Sequence, residues 1–218
     1  MIRLRIHYSK GREQRYTGTL DMQKSWERAF RRAGLRLAYS QGFHPQPKLQ
    51  MACPLPLGFT SSAELVEVWL DEEAQPAGLQ ETIQANLIPG LHITRIEEVP
   101  LNASAIQATS SAARYVIDLQ DQAEAVMLQT RVDGLLAAAE VIRTWKGKSY
   151  DLRPRILALG LRENPTRLIM ELSARESATG RPEEVLSELG LDPTAVRVER
   201  SALITLEGET QILYGAEE

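Results

Sequence analysis

The sequence predicts an α+β protein with mostly antiparallel sheets, and three observations carry that expectation. Short stretches that alternate apolar and polar residues are interleaved with longer stretches of helical period. The order strand, helix, strand, strand, helix, strand can be read twice along the chain. A run of small and polar residues at 101–113 separates the two readings. That order is the ferredoxin-like βαββαβ unit. The expected organisation is therefore one ferredoxin-like half over residues 1–100, a linker at 101–113, and a second half over 114–218. A single α+β domain with one continuous mixed sheet is the alternative arrangement.

The elements follow in order. Residues 2–8 (IRLRIHY) alternate apolar with basic or polar side chains, the period of a half-buried strand. Thr19 or Asp21 is placed to cap the next helix, and Gly34 stands where a helix would stop. On that helix Met22, Trp26, Ala29, Phe30 and Ala33 form one apolar face, and Lys24, Arg28, Arg31 and Arg32 repeat on the opposite side. Such separation buries the first face against a sheet and leaves the second in water. Residues 49–55 and 63–70 read as strands, 78–87 as a short helix and 91–99 as a fourth strand. In the second half, strands are expected at 114–119, 141–145, 157–162, 167–173 and 195–205. A long helix is expected at 122–140, and a short one follows Pro182 and ends near Gly190. The segment from Lys146 to Ile156 reads as a loop, Asn164–Pro165 as a turn, and residues 211–218 as an edge strand or a frayed end.

At 218 residues, 43% hydrophobic and 25% charged, the chain has the composition of a globular protein with a real core. It contains no apolar run of about 18 residues that would span a membrane. Its start lacks the hydrophobic region of a signal peptide, and a cytoplasmic location is expected. The single cysteine, Cys53, rules out an internal disulfide, suits a reducing compartment, and reads as a small buried apolar residue. His7, His44 and His92 are scattered without paired metal-ligand spacing, so neither a metal nor a cofactor is expected. Gly147–Lys148–Ser149 resembles the end of a P-loop, but Ile142 stands where the first glycine is required. The net charge of −4 hides an asymmetry: residues 1–48 hold eleven Lys/Arg against three acids, a balance of +8, and the remainder stands at −12. The front of the chain should therefore attract polyanions.

Residues 39–58 (YSQGFHPQPKLQMACPLPLG) concentrate four of the eleven prolines, two glycines, His44 and Cys53. Pro45 and Pro47 fix φ and remove two donors, so residues 41–48 should be stiff and extended, with Gly42 supplying a geometry a side chain would forbid. The run Arg31–Arg32–Ala33, then Tyr39–Ser40–Gln41–Gly42–Phe43–His44–Pro45, then Pro47–Lys48 and Pro56–Leu57–Gly58, resembles the radical-SAM-linked family of unknown function known as DUF2344. The likeness covers residues 1–75 closely and continues more loosely to 210, with Tyr150–Asp151–Leu152–Arg153–Pro154 a further shared segment. In that family the module occurs as a free chain or joined to a cobalamin-type radical SAM protein, so the resemblance implies a radical SAM partner. The chain is not itself expected to be that enzyme, because a radical SAM cluster needs three closely spaced cysteines.

The functional expectation is a non-catalytic accessory or substrate-binding module for RNA, acting with a radical SAM protein supplied in trans. Lys24, Arg28, Arg31, Arg32, Arg36 and Lys48 would hold phosphates, with Arg3 and Arg5 adding charge nearby. Ser40, Gln41, Gly42, Phe43 and His44 would meet a base or the partner. A weaker echo in the second half consists of Lys146, Lys148, Arg153 and Arg155. Two other classes compete. One is an RNA-processing or RNA-modifying enzyme using His44 or Asp151, and the other is an adaptor whose basic face meets an acidic protein.

Overall fold

The computed structural model describes residues 1–71, 78–119, 122–145, 147–162, 166–175 and 177–205, with the backbone alone at 122–126. It is a mixed α/β protein whose sheets are mostly antiparallel, divided into two compact units, Met1–Thr109 and Ser110–Glu218. The expected Asn164–Pro165 turn, the 211–218 segment and Lys146 lie outside the described residues.

The first unit comprises β1 (Ile2–Lys10), α1 (Thr19–Arg32), β2 (Leu49–Met51), β3 (Thr60–Leu70), α2 (Leu79–Gln84), β4 (Leu91–Val99) and the single turn α3 (Ile106–Thr109). β1 pairs antiparallel with β3 and with β4, and β2 pairs antiparallel with β3. Val66 and Val68 face Ile6 and Leu4 of β1 and also Met51 and Leu49 of β2, so β2 lies on the far side of β3 and the order is β4-β1-β3-β2. Alternation then sorts β1 into two faces. Leu4, Ile6 and Tyr8 join Met22, Trp26 and Phe30 of α1 and Leu79 and Ile83 of α2 in one core. Trp26 is 0% exposed, with its ring edge-on to Tyr8 at 4.9 Å and stacked on Phe30 at 5.5 Å. Lys24, Arg28, Arg31 and Arg32 are exposed on the outer side, as the helical period requires.

The opposite face of β1 carries Arg3, Arg5 and His7, and it departs from expectation. Arg3 is 2% exposed and Glu67 of β3 is 0% exposed, joined by bonds of 3.0 and 2.5 Å. Arg5 Nε donates to the other Glu67 oxygen at 2.9 Å. Arg3 also donates to the carbonyls of Ala103 and Ser104, at 2.6 and 2.8 Å, and stacks on Trp69. Lys10 is buried as well, its ammonium on the Thr17 carbonyl at 3.0 Å. Part of the +8 balance of the front segment is therefore neutralised internally, and Arg3 and Arg5 add nothing to the helix face.

Several local expectations are corrected. The N-cap of α1 is Gly18, with no side-chain cap bond; Thr19 is already helical and Asp21 sits in the first turn, where its charge complements the helix dipole. At the other end Gly34, at φ +77°, completes a Schellman turn, its N–H on Arg31 O and that of Leu35 on Phe30 O. β2 is shorter than expected because Pro54 and Pro56 cannot donate to a ladder. Within the stretch expected as a linker, residues 106–109 form α3, and β5 already begins at Ser110. Cys53 is half-exposed, not buried.

The second unit comprises β5 (Ser110–Asp118), α4 (Gln122–Ala137), β6 (Ile142–Trp145), β7 (Lys148–Asp151), β8 (Ile156–Arg162), β9 (Arg167–Ser173), α5 (Pro182–Glu188) and β10 (Val198–Thr205). Its sheet runs β10-β5-β9-β8, every neighbour antiparallel. β6 and β7 pair only with each other among the described residues, forming a separate two-stranded ribbon. The segment expected as a loop after Trp145 therefore contains a strand. The apparent P-loop ending belongs to this ribbon: Gly147 takes φ +76°, which favours glycine, and Lys148 pairs with Trp145.

Candidate functional site

The 39–58 stretch opens with a hairpin over residues 38–48 that is rooted on β3. Ala38 N–H donates to Trp69 O, and Trp69 N–H donates to Lys48 O, at 2.8 and 3.1 Å. Across the hairpin Lys48 N–H reaches Ala38 O, and Ser40 N–H reaches Gln46 O, both at 2.8 Å. Gln46 N–H returns to Ser40 Oγ at 3.0 Å, so that hydroxyl has a structural role. Pro47 stands inside this ladder, bridged opposite Tyr39, and Pro45 lies just beyond it beside the bend. Residues 41–44 bend where an extended run was expected, and Gly42 makes the bend at φ +131°.

The bend projects Phe43 clear of the protein at 102% exposure, beside an exposed His44 and Gln41. The ring at the tip is held on a fixed backbone and takes no part in the core. Arg31 joins the hairpin to the helix: it donates to Tyr39 Oη at 2.6 Å and pairs with Glu27 at 2.8 Å. Lys24, Arg28 and Arg32 are exposed and make no ion pair among the described residues, and Arg36 is also exposed. The structure thus brings the helix cations and the hairpin together at Arg31–Tyr39. Tyr39 stood inside the sequence motif, but its pairing with Arg31 could not be read there.

In the second unit the expected residues separate by role. Asp151 accepts the N–H groups of Val141 and Arg153 through one oxygen, at 2.8 and 3.0 Å, which holds the entry to the ribbon. Arg153 donates to Leu136 O and Ile156 O, so it ties down the end of α4. Arg155 donates to Thr179 O at 2.8 Å and stacks on Tyr150 with its Cζ 3.8 Å from the ring centroid. Lys148 is exposed. Sequence reasoning missed Trp145, Tyr150 and Arg181. Tyr150 donates its hydroxyl to Glu184, Arg181 lies 4.1 Å over Trp145, and Arg143 pairs with Glu188 at 3.0 Å. Burial first, and the Glu184 bond second, raise the Tyr150 hydroxyl above its ordinary range. Burial also raises the Glu183 carboxyl, one of whose oxygens has no partner among the described residues.

On the sheet face of the first unit, burial holds His7 below its usual range against the raising effect of its Glu97 bond at 2.9 Å; Arg95 and Arg5 lower it further. Among the described residues no group of three or more His, Cys, Asp or Glu side chains is gathered as a metal site would require. No helix among them is long and apolar enough to cross a membrane.

Together these features define a mixed α/β protein that presents a basic helix and a rigid, aromatic-tipped hairpin on one unit. The chain belongs to the bacterial family described as "Uncharacterized protein conserved in bacteria (DUF2344)", whose model matches residues 3–182. No curated protein matches the chain.

Proposed function

We propose that the protein is a non-catalytic, cytoplasmic RNA-binding accessory module that works with a radical SAM protein supplied in trans. The observation that carries this reading is Phe43, wholly exposed on a hairpin whose base is bonded through Tyr39 to the basic face of α1. Lys24, Arg28 and Arg32 supply charge that no described acid neutralises, and Phe43 and His44 supply rings for an unstacked base. The radical SAM partner follows from the sequence resemblance alone. We further read each unit as a ferredoxin-like half. The orders β4-β1-β3-β2 and β10-β5-β9-β8 support this, with the β6–β7 ribbon an insertion in the second.

The test is a titration of labelled single-stranded RNA at several salt concentrations. Binding should weaken with salt at a log–log slope of about −0.7 per phosphate neutralised. Replacing Arg28, Arg31 and Arg32 by Ala should reduce both affinity and slope. Phe43→Ala should reduce affinity at constant slope, because stacking releases few counterions. No binding at low salt would refute the reading and favour an acidic protein as the partner of this face.

A further inference from the structure

We propose that the β6–β7 ribbon is a stacking platform of its own, with Trp145 receiving a base of single-stranded RNA and Lys148 its phosphate. This rests on the RNA reading but concerns a different unit and residues that reading does not need. The register places Trp145 opposite Lys148 and Arg143 opposite Tyr150, so these four side chains share one face of the ribbon. That face is built as a rigid ladder. Arg143 bonds Glu184 O at 3.1 Å and pairs with Glu188, Tyr150 bonds the Glu184 carboxylate, Arg155 covers Tyr150, and Arg181 covers Trp145. Arg181 Nη1 also points at Tyr150 Oη, at 3.5 Å.

A guanidinium covers only one face of an indole, and Trp145 remains 44% exposed. The ring is fixed before any ligand arrives, so little side-chain entropy is lost on stacking. Glu188 pairs with Arg143, and Glu183 and Glu184 offset Arg181, so the charge left for a ligand on this face is that of exposed Lys148, which forms no ion pair among the described residues. An acidic protein surface would match the charge but would gain little from a flat ring already backed by arginine. A nucleotide matches both, since its base stacks and its phosphate meets the ammonium opposite Trp145.

The experiment follows intrinsic tryptophan emission and, in parallel, the anisotropy of labelled oligoadenylate, in the full chain. RNA should quench the emission, and the quench should be absent in Trp145→Ala, whose affinity should fall about 5- to 160-fold, the range for losing one stacked base. Trp145→Phe should restore most of that affinity and so exclude a folding defect. Lys148→Ala should shrink the salt slope by about 0.7. Affinity unchanged in Trp145→Ala, or equal quenching by oligoglutamate, overturns the platform. If wild-type protein binds no RNA at low salt, both proposals fall. If the Arg28/Arg31/Arg32 variant loses affinity while Trp145→Ala does not, only the platform is lost.

Discussion

Glu67 offers the sharpest test of the sheet face in the first unit. Its carboxylate is fully buried and accepts two bonds from Arg3 and one from Arg5. Removing one member of a buried pair costs about 3–5 kcal/mol, chiefly because the remaining charge keeps its desolvation penalty. Arg3 is the charge left behind; Arg5, at 12% exposure, regains some water. Glu67→Ala should therefore cost about 3–5 kcal/mol. Glu67→Gln keeps the shape and one acceptor and should cost about 1.5–3 kcal/mol, the value of hydrogen bonds to charged groups. Adding Arg3→Met to Glu67→Ala should recover about 0.5–3 kcal/mol, the usual coupling of contacting residues. Urea unfolding followed by circular dichroism and by Trp26 and Trp69 emission gives all three values. A loss under about 1 kcal/mol for Glu67→Ala would mean that the carboxylate is wet and the face open.

Four further outcomes are expected. Trp26→Ala should cost about 3–5 kcal/mol and Arg31→Ala under about 1 kcal/mol in the same assay, equal losses meaning that the two faces of α1 are misassigned. Because the Trp26 Nε1 has no partner among the described residues, Trp26→Phe should cost far less than Trp26→Ala. His7 is held below 6.5 by burial, so its contribution to stability is complete above that pH and is lost as pH falls through the lowered value; His7→Gln should flatten that decline in a pH series of urea midpoints. Glu183 is shifted the opposite way, so its ionised form costs stability at neutral pH, and Glu183→Gln should raise the thermal midpoint there but not in acid, where the native carboxyl is already neutral.

Helix α1 was legible because its signal is local. The spacing of Met22, Trp26 and Phe30 states both the helix and its buried side. The alternation of β1 was legible too, but not the fate of Arg3 and Arg5, because the acid that buries them is Glu67, more than sixty residues away. The one available hint was a lone glutamate inside the apolar run LVEVW. β7 was missed because KSYD beside a glycine carries loop chemistry, and its strand geometry comes from pairing with β6. The roles of Asp151 and Arg153 are fixed by backbone groups of Val141 and Leu136 that composition does not reveal. Trp145 was visible as a residue, but its partner Arg181 stands on another element.

The preformed hairpin around Phe43 also bears on rates. A tip that must fold on contact inserts a slow step between collision and complex; this one is already laddered from Ala38 to Lys48. If the tip binds RNA as proposed, capture there should proceed at the speed of steered diffusion, with on-rates that fall as ionic strength screens the helix cations. Phe43 should act almost entirely on how long the complex lasts. Shortening the ring would release the ligand sooner without delaying its arrival, whereas removing the cations would delay its arrival.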